Sequence, residues 1–409
     1  MKIKIDRLSI QNFFLYLYFF SINYENFNPT GYFSLSKLAG IIYVISAILS
    51  TRIFLSLNRK QIYFYWPILI FVVYLTLISL INFNDFSNRF VDIALIQNLL
   101  IFMVLINHVR KDYLVLEKGM LALAIGSVSV SILLFLGIGV TEMPEDMFGL
   151  IVRKTFFNAG PNELAIKLSA GIVVIVSILF ENTLKLNKFI RYFLFLCVPL
   201  MIISIFNTAS RTAFLILPAC GLAWFGFKLL TSKNKLYSLI FGLFILALAF
   251  IPIFYIVTQI EDFQLLAARL QDTGGVADTS DVGRLTLWLG FSSLIFENPI
   301  FGNGYSGFDL ITFDYFGFIE SPHNVFLEVL LYTGLFGLLF YLIFLSRIFL
   351  ASYKLFKNRN RILPTILIPI ALAFIFILQG LNEKVCWLIL AYIIGTYMYS
   401  FNKFKEFKN

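Results

Sequence analysis

Charged residues make up only 13% of this 409-residue chain, about half the share found in a typical soluble domain. That shortage excludes a soluble enzyme, because one core could not hide so much apolar surface. It excludes a disordered regulator for the same reason. The 3 cysteines, Cys197, Cys220 and Cys386, all lie in apolar runs, which leaves no disulfide framework and no CxxC metal site. With 2 histidines, His108 and His323, there is no histidine-rich metal site either. No paired-Asp motif for metal binding occurs, so neither metal nor cofactor is expected.

What the chain has instead is apolar length. It is 59% hydrophobic and 18% aromatic, with 48 Phe and 20 Tyr, and its mean hydropathy is +0.86. A helix needs about 20 mostly apolar residues to cross the hydrocarbon core. By that ruler the sequence predicts an all-α polytopic membrane protein with about twelve transmembrane helices. The spans are 8–23, 37–57, 62–82, 91–107, 119–139, 162–180, 189–206, 212–230, 236–258, 325–346, 362–379 and 385–401. The first contains Asn12 and lacks a small-residue cleavage site, so it reads as a retained helix and not a signal peptide.

The formal net charge is +9, which a nucleic-acid binder would also show, and the positions of the charges decide between the two. With the N-terminus cytoplasmic, every inside segment carries at least three Lys or Arg, from Lys2, Lys4 and Arg7 to Lys403, Lys405 and Lys408. The charge is therefore an orientation signal. Both termini are placed in the cytoplasm, the lipid bilayer is the partner, and no nucleic acid is implied. Residues 1–409 read as a single integral membrane domain.

Two connections are long, 140–161 and 259–324, and both face outward; loops of that length are usually functional. The second, a large extracytoplasmic loop between helices 9 and 10, carries a short apolar stretch from Arg284 to Glu297 that reads as an interfacial helix. Pro299, Gly302, Gly304 and Gly307 follow it, turn residues that let backbone approach something closely. The polar run 272–283 reads as the mobile part.

Candidate site residues lie on this outer side. Arg211, in Asn207-Thr-Ala-Ser-Arg-Thr-Ala213, follows a fair N-cap, Ser210, so guanidinium and helix N-terminus together favour an anion; the alternative is an arginine snorkelling to headgroups. Arg284 opens the interfacial helix with the same potential, or pairs with Asp278 or Asp281. His323 falls at the outer start of the tenth span, where a helix N-terminus keeps imidazole neutral and able to accept a proton; otherwise it is an interfacial residue. Glu328 is an intramembrane carboxylate and a substrate-binding candidate, with Asn324 four residues earlier as a hydrogen-bond partner or a second contact. Arg153 and Lys154 form an acidic-substrate patch or are solvated. Lys167 and Glu163 read as a structural ion pair, and His108 as a solvated loop histidine.

Two arginines at helix ends and one neutral base suit chemistry on a diphosphate held at the outer leaflet, with the arginines neutralising the leaving group in place of a metal. A transporter of an anionic envelope precursor would use the same arginines without chemistry. Against it, the chain has no internal repeat.

In order along the chain stand Asn158-Ala-Gly-Pro-Asn162, Thr208-Ala-Ser-Arg-Thr-Ala213, Gly283-Arg284…Trp288…Asn298-Pro299…Gly302-Asn303-Gly304, and Pro322-His323-Asn324…Glu328…Gly334…Gly337. This series resembles the O-antigen polymerase and O-antigen ligase superfamily of bacterial envelope glycosyltransferases. The resemblance implies a GT-C-like, metal-independent, inverting transferase in the bacterial cytoplasmic membrane, with its site on the periplasmic face. An undecaprenyl-diphosphate-linked oligosaccharide would serve as donor and another as acceptor, with a chain-length regulator as a further candidate partner. The family's two essential arginines fall on Arg211 and Arg284 and its histidine on His323, which would deprotonate the acceptor hydroxyl. Gly334, eleven positions after His323, matches a spacing of the polymerases, whereas position 222 is Leu and position 295 is Ile, so neither arginine keeps its corresponding spacing. The turn at Pro299 to Gly304 and the Pro-His-Asn motif favour a polymerase over a ligase that acts on lipid A-core.

Overall fold

The computed structural model describes residues 7–28, 34–49, 59–81, 90–109, 114–144, 152–232, 234–236, 240, 279–305, 308–317, 321–359, 361–378 and 381–406. In chain order the helices are α1 (Arg7–Ser21), α2 (Leu35–Leu49), α3 (Arg59–Ile81), α4 (Phe90–His108), α5 (Val115–Phe135), α6 (Pro161–Glu181), α7 (Lys188–Asn207), α8 (Arg211–Thr231), α9 (Thr279–Glu297), α10 (Phe308–Phe316), α11 (Val325–Arg359), α12 (Leu363–Ile377) and α13 (Lys384–Glu406). By length and composition six of them, α3, α5, α6, α7, α8 and α11, suffice to cross a membrane. Each expected span that falls on described residues overlaps a helix, although the tenth, 325–346, is broken at Gly334; the ninth, 236–258, lies almost wholly outside them. The protein is a multi-pass, mainly helical membrane protein.

Within the 140–161 connection, β1 (Val140–Pro144) and β2 (Val152–Phe156) form an antiparallel hairpin with Thr141 opposite Thr155 and Glu142 opposite Lys154. Two expectations need correction. Of the stretch taken as mobile, 279–283 begins α9, and the remainder lies outside the described residues. His108 is not solvated; it is fully buried, hydrogen-bonded through Nδ1 to the Tyr43 hydroxyl at 3.1 Å and stacked on that ring.

α6 is the central element, packed against α5, α7, α8 and α12. Its hydroxyls are satisfied locally, Ser169 on the Ala165 carbonyl at 2.8 Å and Ser177 on that of Val173 at 2.7 Å, the usual solution where no water is at hand. α7, by contrast, leaves Phe189, Phe195 and Leu196 exposed on the bundle's surface, as a lipid-facing helix does.

Buried charges tie the two ends of the bundle. At one end Arg361 pairs with Glu117 and, at 2.8 Å, with Glu181, while Glu181 also accepts from the Leu363 amide at 2.6 Å and so caps α12. Tyr392 donates to Glu117 at 2.8 Å. At the other end Lys167 binds Glu163, as expected, and also Glu25 at 3.1 Å. Lys384 joins the same Glu25 and donates to Ser36 at 3.0 Å. One carboxylate thus ties the α1–α2 connection to α6 and α13.

α11 is not one straight helix. At Gly334 φ is 59° and ψ −163°, a conformation outside any helix. The rings of Phe326 and Tyr341 lie 6.3 Å apart, whereas those residues would be about 22 Å apart along a straight helix. Residues 325–333 therefore form a half-helix that doubles back beside residues 335–359. The break exposes backbone groups that need partners, and the 299–304 turn supplies them. Asn303 and Gly304 amides donate to the Leu331 and Tyr332 carbonyls at 2.8 and 2.9 Å; Leu335 and Phe336 amides donate to Pro299 and Ile300 carbonyls at 2.8 and 3.2 Å. α3 holds the other side of the turn: Tyr74 donates to the Phe301 carbonyl at 3.0 Å, and Ser79 Oγ accepts from the Tyr305 amide at 2.8 Å. What the glycine-rich turn approaches closely is the protein's own backbone.

Candidate functional site

The turn between α7 and α8 is built around a residue with unusual backbone. Ala209 has φ 48°, the left-handed region that side chains normally avoid. Ser210 then caps α8, its Oγ accepting from the Ala213 amide at 3.5 Å, and the same hydroxyl donates to Asn162 Oδ1 at 2.8 Å. Arg153, on β2, donates through Nη2 to that Asn162 oxygen at 3.0 Å and through Nε to the Thr208 carbonyl at 2.9 Å. The hairpin, the start of α6 and the α7–α8 turn are thereby locked together, and Arg211 is left as the first, half-buried residue of α8. Arg153 serves as a strut of this turn, while its neighbour Lys154 is exposed. Backbone strain is typical where geometry must be held; Phe157 and Asn158, just before α6, have positive φ as well.

His323 has φ 47° and stands immediately before the half-helix of α11. Asn324 is the cap: its Oδ1 accepts from the Phe326 amide at 3.0 Å and the Leu327 amide at 3.4 Å. Its side chain thus serves the helix end, and its link to Glu328 is the backbone bond from the Glu328 amide to the Asn324 carbonyl, 3.0 Å. On the histidine's other flank, Trp288 Nε1 donates to the Pro322 carbonyl at 2.8 Å. Ser321 Oγ lies 3.3 Å from His323 Nδ1. The ring is held by its neighbours at Nδ1, and the backbone by a cap and a tryptophan.

Arg284 does not open its helix. α9 begins at Thr279, so Arg284 stands in its second turn, one turn before Trp288, and the helix N-terminus does not reinforce its charge. The helix was expected to start later because its apolar run begins at Leu285; the capping types Thr279, Ser280 and Asp281 were the available signal.

Arg211 and His323 come from distant parts of the sequence, yet each stands at the N-terminal start of a helix. The two helices touch, Phe227 on α8 packing on Phe356 of α11 with ring centroids 5.4 Å apart. Glu328, in the first turn of the half-helix of α11, is 3% exposed.

Three carboxylates elsewhere, on Glu25, Glu163 and Glu383, bring oxygens within 4.8 Å of one another, as a metal site would. Lys167 and Lys384 already supply the cationic charge there. Burial, then the nearby Glu163, pushes Glu383 well above the usual carboxylate range, so Glu25 and Glu163 balance the two lysines. The cluster fits a structural network better than a metal centre.

Residues 196–342 match the family described as O-antigen ligase. A comparison with curated proteins finds no match. The matched segment takes in α9, the clasped turn and the half-helix, with Arg211, Arg284 and His323 all inside it; Arg153 and Lys154 lie before it. The family covers O-antigen polymerases and ligases alike. Asn162 and Trp288 were absent from the candidate residues, although both belonged to the motifs noted in the sequence. What singles them out, a bond to a residue 48 or 34 positions away, has no local pattern.

Proposed function

We propose that this protein is a polysaccharide polymerase of the bacterial cytoplasmic membrane, joining undecaprenyl-diphosphate-linked repeat units into an O-antigen or capsule-type polymer. The observation that carries the reading is that Arg211 and His323 each stand at the N-terminal start of a helix, on two helices that touch, inside the segment that matches the O-antigen ligase family. The end of the bundle carrying Arg211 is taken as the periplasmic face, because basic residues collect at the other end. His323 removes the proton of an acceptor hydroxyl as its oxygen attacks the donor's anomeric carbon. The glycosidic bond forms with inversion and the bond to undecaprenyl diphosphate breaks. Arg211 and Arg284 take the charge of the departing diphosphate, the work a metal does in other transferases.

The polymerase reading rests on Gly334, eleven positions after His323 and the site of the helix break. A second reading, ligation of finished glycan onto lipid A-core, is favoured by the description of the matching family. A gel of envelope glycolipids from a strain lacking the gene separates them. A ladder collapsing to core plus one repeat unit supports the polymerase; bare core with polymer stranded on undecaprenyl diphosphate supports the ligase. An unchanged ladder directs the question to capsule and other exopolysaccharides and revives the transporter.

A further inference from the structure

Glu328 differs from the other carboxylates enclosed by the bundle. Glu25 and Glu163 are held by lysines, and Glu117 and Glu181 by Arg361. Glu328 is more thoroughly enclosed than Glu25 or Glu163, at 3% exposure. Among the described residues its carboxylate has neither a hydrogen bond nor an ion pair. Asn324, the neighbour best placed to serve it, spends its side chain on the Phe326 and Leu327 amides. An unpartnered carboxylate at this depth is costly, and a protein that keeps one keeps it for a partner that arrives later. The oxygens of a carboxyl group accept hydrogen bonds. A diphosphate offers them no donor; a sugar offers several hydroxyls. Glu328 also shares its half-helix with the cap that holds His323, the residue set to receive an acceptor hydroxyl.

We propose that Glu328 is a sugar-binding residue of this site, accepting hydrogen bonds from hydroxyls of the acceptor glycan and so setting which hydroxyl faces His323. The assignment rests on the transferase reading above, and it divides the labour of the site: arginines for the diphosphate, Glu328 for the glycan.

The test compares wild type, Glu328→Gln and Arg211→Ala, each as the full chain in lipid nanodiscs. Two probes are used: undecaprenyl diphosphate, and the undecaprenyl-diphosphate-linked oligosaccharide extracted from the producing strain. Glu328→Gln should bind the bare lipid diphosphate as wild type does and the glycan-bearing lipid at least tenfold more weakly. Arg211→Ala should lose both. Equal binding of the glycan-bearing lipid by Glu328→Gln and wild type, or an equal loss of both probes, overturns the proposal. If wild type binds neither probe, the transferase reading itself falls, a result that no Glu328 variant can mimic. Thermal unfolding separates a structural role: Glu328→Gln breaks no side-chain bond within the protein and should melt no lower than wild type, whereas a lower melting temperature would mark the carboxyl group as part of the scaffold.

Discussion

Gly334 and Ile300 leave no room between them for a side chain: a Cβ on the glycine would overlap the Ile300 carbonyl carbon and oxygen. The glycine also has φ 59°, so alanine there meets a steric clash and an unfavourable backbone together. A side chain added at Gly302 would likewise overlap the Tyr332–Thr333 peptide. These two glycines are where the 299–304 turn enters the break in α11, and the amide bonds across the break depend on that closeness. Gly334→Ala should therefore cost about 3 kcal/mol or more, the range of a strained backbone plus overpacking. Gly226→Ala, in mid-helix with nothing within 4 Å of its new methyl group, should be neutral or gain up to about 1 kcal/mol. Thermal unfolding in detergent checks the contrast, and equal melting temperatures for the two variants would mean that the turn does not enter the helix as described.

Glu25 holds two lysines from two different helices. Glu25→Gln leaves both with reduced compensation, and breaking one partner of a buried pair typically costs about 3–5 kcal/mol. Because Lys167 keeps its ion pair with Glu163 whereas Lys384, among the described residues, keeps no ion pair beyond its bond to Ser36, the loss should fall mainly on the α13 attachment. Hydrogen exchange measured by mass spectrometry should show faster exchange at the start of α13 than along α6; unchanged protection in both would refute the tie.

The same cluster fixes a pH dependence. Burial would push Glu25 up, but Lys167 and Lys384 hold it down at about 2, below the unfolded value of about 4.3. Its stabilisation is thus fully present above that unfolded value and is lost as pH falls through the folded one. Glu383 is raised by burial and by Glu163, so it works in the opposite sense: the folded state holds its proton, and stability declines as pH climbs above the unfolded value. Glu383→Gln should raise the melting temperature at pH 8 and leave it nearly unchanged at pH 4. A variant that melts lower than wild type at pH 8 would contradict that assignment.

Apolar length was the most readable property of this chain, since crossing a bilayer demands a continuous run and tolerates few charges. That is why Pro161–Glu181 and Lys188–Asn207 fall within a residue or two of the expected spans. The break at Gly334 was invisible to the same criterion, because residues on both sides of it are equally apolar; only the recurrence of glycine at 302, 304 and 334 hinted that two backbones meet. The two buried charge networks were half legible. Lys167 and Glu163 stand one helical turn apart, a spacing sequence can display, whereas Lys384 and Glu25 are 359 positions apart and meet only through the fold. At the site, helix-end chemistry marked Ser210, Arg211 and His323. It misplaced Arg284, since the start of α9 is set by polar cap residues and not by the apolar run.

Trp288 supplies the most direct test of how His323 is held. Its indole N–H reaches the Pro322 carbonyl, and the residue that follows takes a left-handed backbone that only a supported loop retains. Trp288→Phe keeps most of the ring's packing and removes that one bond, a net loss of about 1 kcal/mol in stability. Transfer should suffer more than stability does, because a displacement of about 1 Å at a proton-accepting nitrogen is enough to cost roughly a hundredfold in rate. The expected signature is a fall in kcat with little change in the KM for donor, whose diphosphate the proposed function assigns to the arginines. His323→Ala should abolish transfer while donor binding persists, and in that background Trp288→Phe should have no further effect on the residual rate. An additive loss in the double variant would place Trp288 on a separate path and break the link to His323 argued from the Pro322 carbonyl.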